Sequence, residues 1–179
     1  MDFLQLVQAV SSASLAIGWI LVIIIVIKFG RSEISGAARN LEYPMLSIVV
    51  PTYNEARIIE RKMENVSIVD YPKERLEVIV ADNASSDGTR KVVEKFIEKN
   101  RDFLNIRLLV SDRRGKANAL NLALENCKGE IVIVTDADVL FSPDAPQLLV
   151  ASLGDPEVGG VSAMEEVANI ENNFLTRLE

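Results

Sequence analysis

At 179 residues and 49% hydrophobic content, the chain has room for one ordinary domain with a real core, plus a short appendage. Its 26 acidic and 19 basic residues leave a formal net charge of -7. That field repels phosphate backbones and argues against general nucleic-acid binding, so an anionic ligand must be met by a local cluster. A single cysteine, Cys127, allows no intrachain disulfide, and with no histidine present a zinc site of ordinary ligands is disfavoured. Hard cations held by oxygen ligands stay open.

The chain begins with residues 3–27, which carry no charge; residues 15–27 are almost purely aliphatic, with Trp19 the one aromatic. At about 1.5 Å per residue such a helix reaches roughly 35 Å, past a hydrocarbon core of about 30 Å. Residues 1–28 are therefore predicted to be a transmembrane anchor. A cleaved signal peptide is the rival, but Asp2 stands where a basic leader is expected and Lys28 follows where small cleavage-site residues belong. Lys28, Arg31 and Arg39 flank the run on its C-terminal side only, which predicts a single-pass protein of the cell membrane with its globular part in the cytoplasm. Residues 29–44, with Gly30, Ser32, Ser35, Gly36 and mixed charge, read as a linker.

From residue 45 to 179 short apolar runs alternate with helical patterns. Residues 46–50 read as a strand ended by Pro51, and residues 55–66 as a helix with Ile58, Ile59 and Met63 on one side. Residues 76–81 make a second strand. Residues 86–99 make a second helix, with Ser86 or Asp87 as N-cap and Val92, Val93, Phe96 and Ile97 as its stripe. Residues 106–110, 115–127 and 131–135 read as strand, helix and strand, with Gly129 as the stop between the last two. A further helix over 143–153 and a strand over 158–162 are predicted. Apolar strands separated by helices imply an α/β fold, a mainly parallel sheet covered on both faces.

In such sheets ligands sit beyond the carboxyl ends of the strands, and polar clusters fall there: residues 51–55, Asp82 with Asn83, residues 112–116, and Asp136-Ala137-Asp138. Asp136 and Asp138 lie two apart, so extended backbone points both carboxylates one way. Such a pair suits Mg2+ or Mn2+ with coordination sites left for a diphosphate; the alternative is a solvated turn capping the next helix. Asp82 could accept from a nucleobase or ribose group, or simply serve its turn. Arg113, Arg114 and Lys116 surround Gly115 at a predicted helix start and make either a phosphate site or a solvated basic turn. Tyr53 could pack on a base, or only cover the loop. Cys127 reads as core filling.

Taken together, the blocks Val49-Val50-Pro51-Thr52-Tyr53-Asn54-Glu55, Val80-Ala81-Asp82-Asn83-Ala84-Ser85-Ser86-Asp87-Gly88-Thr89, Gly115-Lys116-Ala117-Asn118-Ala119-Leu120-Asn121 and Thr135-Asp136-Ala137-Asp138 resemble family 2 glycosyltransferases. The resemblance implies a GT-A fold, a Rossmann-like αβα sandwich with a nucleoside-diphosphate sugar as donor and inversion at the anomeric carbon. By position it implies Thr52, Tyr53 and Glu55 at the nucleoside, Asp82 on the base and Lys116 near the nucleotide. It further implies Asp136 near ribose and metal, with Asp138 the principal metal ligand. Asn83 stands where many relatives have a second aspartate. The family's acceptor-side catalytic aspartate and its Gln-x-x-Arg-Trp block find no match before Glu179, so no catalytic base is assigned and the acceptor half is expected to be missing. Glu165 and Glu166 read as an exposed helix start.

Three functions compete on these residues. The first is transfer of a sugar, with a UDP-sugar favoured, to a glycan or lipid-linked acceptor at the cytoplasmic membrane face. The second is a membrane-tethered subunit or truncated remnant that binds nucleotide sugar without turnover. The third, a phosphohydrolase with Asp136 as nucleophile, has only Asp136-Ala137-Asp138-Val139-Leu140 in its favour, and that motif normally opens its domain.

Overall fold

The computed structural model describes residues 14–24 and 43–164, together with Gln5 and Ser11. The chain divides into two compact units, Met1–Ala37 and Ala38–Glu179. In the first, residues 14–24 are helical and exposed, Leu15, Trp19 and Ile23 among them. Among the described residues no helix is long and apolar enough to cross a membrane. Apart from Gln5 and Ser11, the rest of the predicted 1–28 anchor lies outside the described residues, as do almost all of the predicted 29–44 linker and Glu165 and Glu166.

The second unit runs β1 (Leu46–Thr52), α1 (Ile59–Ser67), β2 (Leu76–Asp82), α2 (Thr89–Asn100), β3 (Ile106–Val110), α3 (Lys116–Asn126), β4 (Ile131–Val134) and α4 (Ala145–Ser152), with a 3-10 turn at Lys73–Arg75 before β2. The strands form one four-stranded sheet in the order β3-β2-β1-β4, and every pairing is parallel. Successive strands step outward from β1 to β3; β4 then returns to the far side of β1. The gap beyond the ends of β1 and β4 is thus a topological switch point, where open α/β sheets bind ligands.

Alternation along the strands builds the core on two faces. Ile48, Val50, Val78 and Val80 pack with Ile59, Met63 and Val66 of α1, Val93 of α2 and Val150 of α4. Val49, Ile79 and Ala81 pack with Ala119 and Ala123 of α3. β1 and β2 are buried along their whole lengths, whereas β3 and β4 are only partly so.

Two polar residues sit inside the central strands and are explained by one network. Ser47 and Glu77, opposite each other in the ladder, are fully buried. Ser47 Oγ donates to Glu77 Oε1 at 2.5 Å, the Lys128 N–H donates to the same oxygen at 2.5 Å, and Arg107 Nη2 reaches Oε2 at 3.0 Å. Burial pushes the Glu77 carboxyl up, but the hydrogen bonds from Ser47, Lys128 and Arg107, with the Arg107 charge, outweigh it and hold it below the usual carboxylate range. Gly129 closes this end: its N–H donates to Ser47 Oγ at 2.8 Å.

Some predicted elements differ. The expected strand at 158–162 is absent: residues 159–164 make no ladder among the described residues, and Gly159 and Gly160 interrupt the run. Neither Ser86 nor Asp87 is the N-cap of α2; that position is Gly88, at φ 102, with no side-chain cap. The buried stripe of α1 is Ile59, Lys62, Met63 and Val66, so a lysine occupies a position that the apolar pattern assigned to no one.

Candidate functional site

The loops at the carboxyl edge of the sheet are stitched to one another in order. Beyond β1, the Asn54 N–H donates to Ser85 Oγ at 2.9 Å, and Asn54 Oδ1 accepts the Ser86 N–H at 2.9 Å. Asp87 Oδ2 accepts the Ala56 N–H at 3.0 Å, and its Oδ1 takes the Thr89 N–H and hydroxyl at 3.0 and 2.5 Å. The Thr89 hydroxyl, with the Ala56 and Thr89 N–H groups, holds the Asp87 carboxyl below the usual range against the opposing pull of desolvation. Beyond β2, Asn83 Oδ1 accepts the Gly115 N–H at 2.6 Å, which ties in the loop before α3. Asn54 and Ala84 sit at φ 56 and φ 57, left-handed backbone that costs a non-glycine residue about 1 kcal/mol.

At the ends of the two central strands, Thr52 and Asp82 lie opposite each other and both are buried. Asp82 Oδ2 accepts Arg90 Nε at 2.7 Å and the Ser85 N–H at 3.1 Å. Asp82 Oδ1 and Thr52 Oγ1 are buried with no hydrogen-bond partner among the described residues. A buried carboxylate oxygen or hydroxyl left unpaired is costly, and both of these stand at the carboxyl edge of the sheet.

The carboxylate pair lies past β4. Thr135 and Ala137 are buried while Asp136 and Asp138 are exposed; β4 ends at Val134 and Ala137 and Asp138 lie in a turn, so the extended backbone expected through the pair is not present. Lys116, the first residue of α3, extends Nζ to 2.6 Å from Asp136 Oδ1. Lys116, Asp136 and Asp138 line one cleft of about 1240 Å³, together with Arg61. Thr52, Tyr53, Glu55 and Asp82 lie outside that cleft, at the neighbouring strand ends. Among the described residues no group of three or more His, Cys, Asp or Glu side chains gathers as a metal cage. Two oxygen ligands lining one cleft fit a cation that keeps waters and takes phosphate oxygens for its remaining positions.

The predicted basic cluster is dispersed rather than convergent. Lys116 turns to Asp136, and Arg114 lies over the Tyr53 ring, 5.7 Å from its centroid. The Arg113 N–H is taken by Ser111 Oγ at 3.3 Å. Tyr53 is therefore covered by a cation on one face. Glu55 enters the stitching through its backbone, its N–H donating to Thr89 Oγ1 at 2.9 Å.

One residue escaped the sequence reading altogether. Lys62 is fully buried behind the carboxylate loop, where Nζ donates to Thr135 Oγ1 at 2.8 Å and to the Val139 carbonyl, and stands 4.4 Å from the Phe141 ring centroid. Burial draws its ammonium down to about 8, against the pull of the Asp136 and Asp138 charges. The signal was available: Lys62 falls within the i, i+3, i+4 stripe of Ile59, Met63 and Val66.

The fold and these strand-end clusters define an α/β domain built to receive a ligand at its switch point. The chain matches the family model of Glycosyl transferase family 2 over residues 47–179, and it belongs to that family. It is similar to poly-beta-1,6-N-acetyl-D-glucosamine synthase of Staphylococcus aureus, 33% identical over 69% of this chain and 29% of that protein. Among solved structures it resembles the mannosyltransferase PcManGT of Pyrobaculum calidifontis in complex with GDP-Man and Mn2+, at 46% identity and TM-score 0.62, covering 65% of this chain and 34% of that one. It also resembles residues 1-349 of Staphylococcus aureus TarS in complex with UDP, at 30% identity and TM-score 0.53, over 59% of this chain and 31% of that one. The chain spans about a third of the length of these proteins. The sheet and helices are accordingly a GT-A-like α/β fold.

Proposed function

We propose that this chain supplies the donor-binding part of a glycosyltransferase that moves a sugar, with inversion, from a nucleoside-diphosphate sugar to a glycan or lipid-linked acceptor. The observation that carries the reading is the exposed pair Asp136 and Asp138 lining one cleft after β4, with Lys116 2.6 Å from the first. In this reading Asp136 and Asp138 hold Mg2+ or Mn2+, which neutralises charge on the departing diphosphate. Lys116 would leave Asp136 for the phosphates. Asp82 Oδ1 would accept from the base, Thr52 and Tyr53 would line the nucleoside, and the Glu55 loop would close over it. Family membership and the GDP-Man and UDP complexes of similar proteins support a nucleotide-sugar donor, and the Mn2+ in one of them supports a divalent cation.

The base is left to experiment, because proteins similar to this one hold GDP-Man in one case and UDP in another. Calorimetry of the full chain with UDP and GDP, each with and without Mn2+, tests the reading. Saturable binding strengthened by Mn2+ and lost in Asp138→Ala is the expected result. Unchanged binding in Asp138→Ala removes the metal role. Binding with neither sugar transfer nor donor hydrolysis would favour a non-catalytic subunit.

Attachment to the cytoplasmic face of a membrane belongs to the same proposal. Its support is the charge-free run at 3–27 and the one-sided flank of Lys28, Arg31 and Arg39. The full chain should then leave membranes with detergent; extraction by high salt alone contradicts a spanning helix.

A further inference from the structure

We infer that Lys62 and Asn65 are positioning residues: from adjacent turns of α1 they clamp residues 135–141 and so set the geometry of the Asp136 and Asp138 carboxylates. This rests on the proposed metal role of those two acids.

The carboxylate loop has little else to fix it. β4 is four residues long, and no helix or strand covers residues 135–141. Its backbone is anchored to the sheet by the Thr135 N–H, which donates to the Val49 carbonyl at 3.0 Å, and turned by the Val139 N–H to the Asp136 carbonyl at 3.3 Å. Lys116 of α3 holds the Asp136 side chain, and Ala137 and Phe141 pack in the core; the other hydrogen bonds from outside the loop come from α1. Lys62 Nζ bridges Thr135 Oγ1, one residue before the acids, and the Val139 carbonyl, one residue after them. An ammonium has three donors, and the third direction is met by the Phe141 ring. Three residues on, Asn65 holds the same loop at both main-chain groups of one residue: Nδ2 donates to the Phe141 carbonyl at 2.9 Å, and Oδ1 accepts the Phe141 N–H at 2.8 Å. Positions i and i+3 share a helix face, so the two side chains act as one bracket.

A leucine or methionine would fill the Lys62 site without the penalty of burying a cation. The groups that the ammonium holds account for its presence: both lie on the backbone or side chains flanking the acids. A cation that feels the Asp136 and Asp138 charges also offsets their mutual repulsion. Partners that orient metal ligands from behind are worth roughly 10 to 100-fold in metal affinity.

The test uses the full chain and the variants Lys62→Met and Asn65→Leu, which keep length and apolar volume. Hydrogen exchange is read peptide by peptide. Calorimetry gives the factor by which Mn2+ strengthens binding of UDP or GDP, whichever the wild type binds more tightly. Exchange across 135–141 should quicken about tenfold in either variant, with β2 protection retained. The Mn2+ factor should fall about tenfold, with nucleotide affinity in its absence unchanged. Wild-type exchange and a wild-type Mn2+ factor in both variants overturn the inference, as does a uniform loss of protection through β1 and β2, which would make Lys62 an ordinary core residue. A wild type indifferent to Mn2+, with exchange at 135–141 still quickened in the variants, defeats the metal role of Asp136 and Asp138 and the inference built on it; the clamp's own failure looks different, because exchange then stays put.

Discussion

Lys116 Nζ stands 2.6 Å from Asp136 Oδ1, so the first residue of α3 is joined to the loop that follows β4, across the switch point of the sheet. Both side chains are more than two-fifths exposed, at 59% and 49%, and an exposed pair contributes only about 0–1 kcal/mol to stability. The contact therefore has little structural purpose, and Lys116 is free to exchange one anion for another. Lys116→Met should leave the melting temperature nearly unchanged while weakening UDP or GDP binding about tenfold, the loss of one charged hydrogen bond. Equal affinity in the variant would remove Lys116 from the ligand.

Asp82 presents one engaged oxygen and one unpaired oxygen. An ionised carboxylate only accepts, so on the proposed role the base that meets Asp82 must offer an N–H, as uracil and guanine do and cytosine at the equivalent ring nitrogen does not. Binding should therefore rank UDP or GDP above CDP, and Asp82→Asn should narrow that gap by about tenfold. Asp82→Ala is a different experiment: it strands Arg90 and the Ser85 N–H and should cost about 3 kcal/mol of folding stability. A ranking of nucleotides that ignores Asp82→Asn would move the base elsewhere.

The Glu77 carboxyl is held below its unfolded value, so its contribution is fully present above the unfolded pKa and disappears as pH falls through the lower folded one. Acid unfolding of the wild type should steepen below about pH 4.5, in the range where carboxylates ordinarily titrate. Glu77→Gln keeps the shape but removes the charge facing Arg107, and should cost about 2 kcal/mol at neutral pH with a flatter acid limb. Identical acid limbs in urea titrations would show that Glu77 is not the group responsible.

Gly129 is the residue with no room to grow. A Cβ there would stand 2.5 Å from the Ser47 backbone nitrogen and 2.7 Å from the Ile131 carbonyl oxygen, and backbone atoms cannot swing aside. Gly129→Ala should destabilise by about 3 kcal/mol, whereas Gly159→Ala, where a Cβ meets nothing within 4 Å, should be close to neutral. Comparable unfolding midpoints for the two variants would contradict this.

Much of the architecture was legible because parallel strands buried on both faces leave unbroken apolar runs, as at Ile48, Val49 and Val50. The strand-end clusters were legible for the same reason: a polar block after each such run has nowhere to go but the edge. Three features resisted. Lys62 goes unassigned because a charged residue in a helix usually belongs to solvent, and only its place in the Ile59, Met63, Val66 stripe tells otherwise. The turn holding Arg113, Arg114 and Lys116 reads as either a phosphate site or a solvated basic turn, and the sequence does not say that the Arg114 and Lys116 side chains go to separate partners, Tyr53 and Asp136, far away along the chain. The predicted strand at 158–162 needs a neighbour to pair with, and pairing is not written in the segment itself.

Among the described residues β4 is laddered on one flank only, against β1, and Val134 is 49% exposed. Its other flank carries a row of main-chain donors and acceptors on an all-apolar strand, Ile131–Val134, free of the lysines and prolines that blunt such edges. A chain purified by itself should therefore stick to copies of itself at high concentration, and light scattering should rise steeply with protein. A charged residue at Val134, the exposed position on this strand, would be the remedy, turning a crystallographer's nuisance into a well-behaved sample.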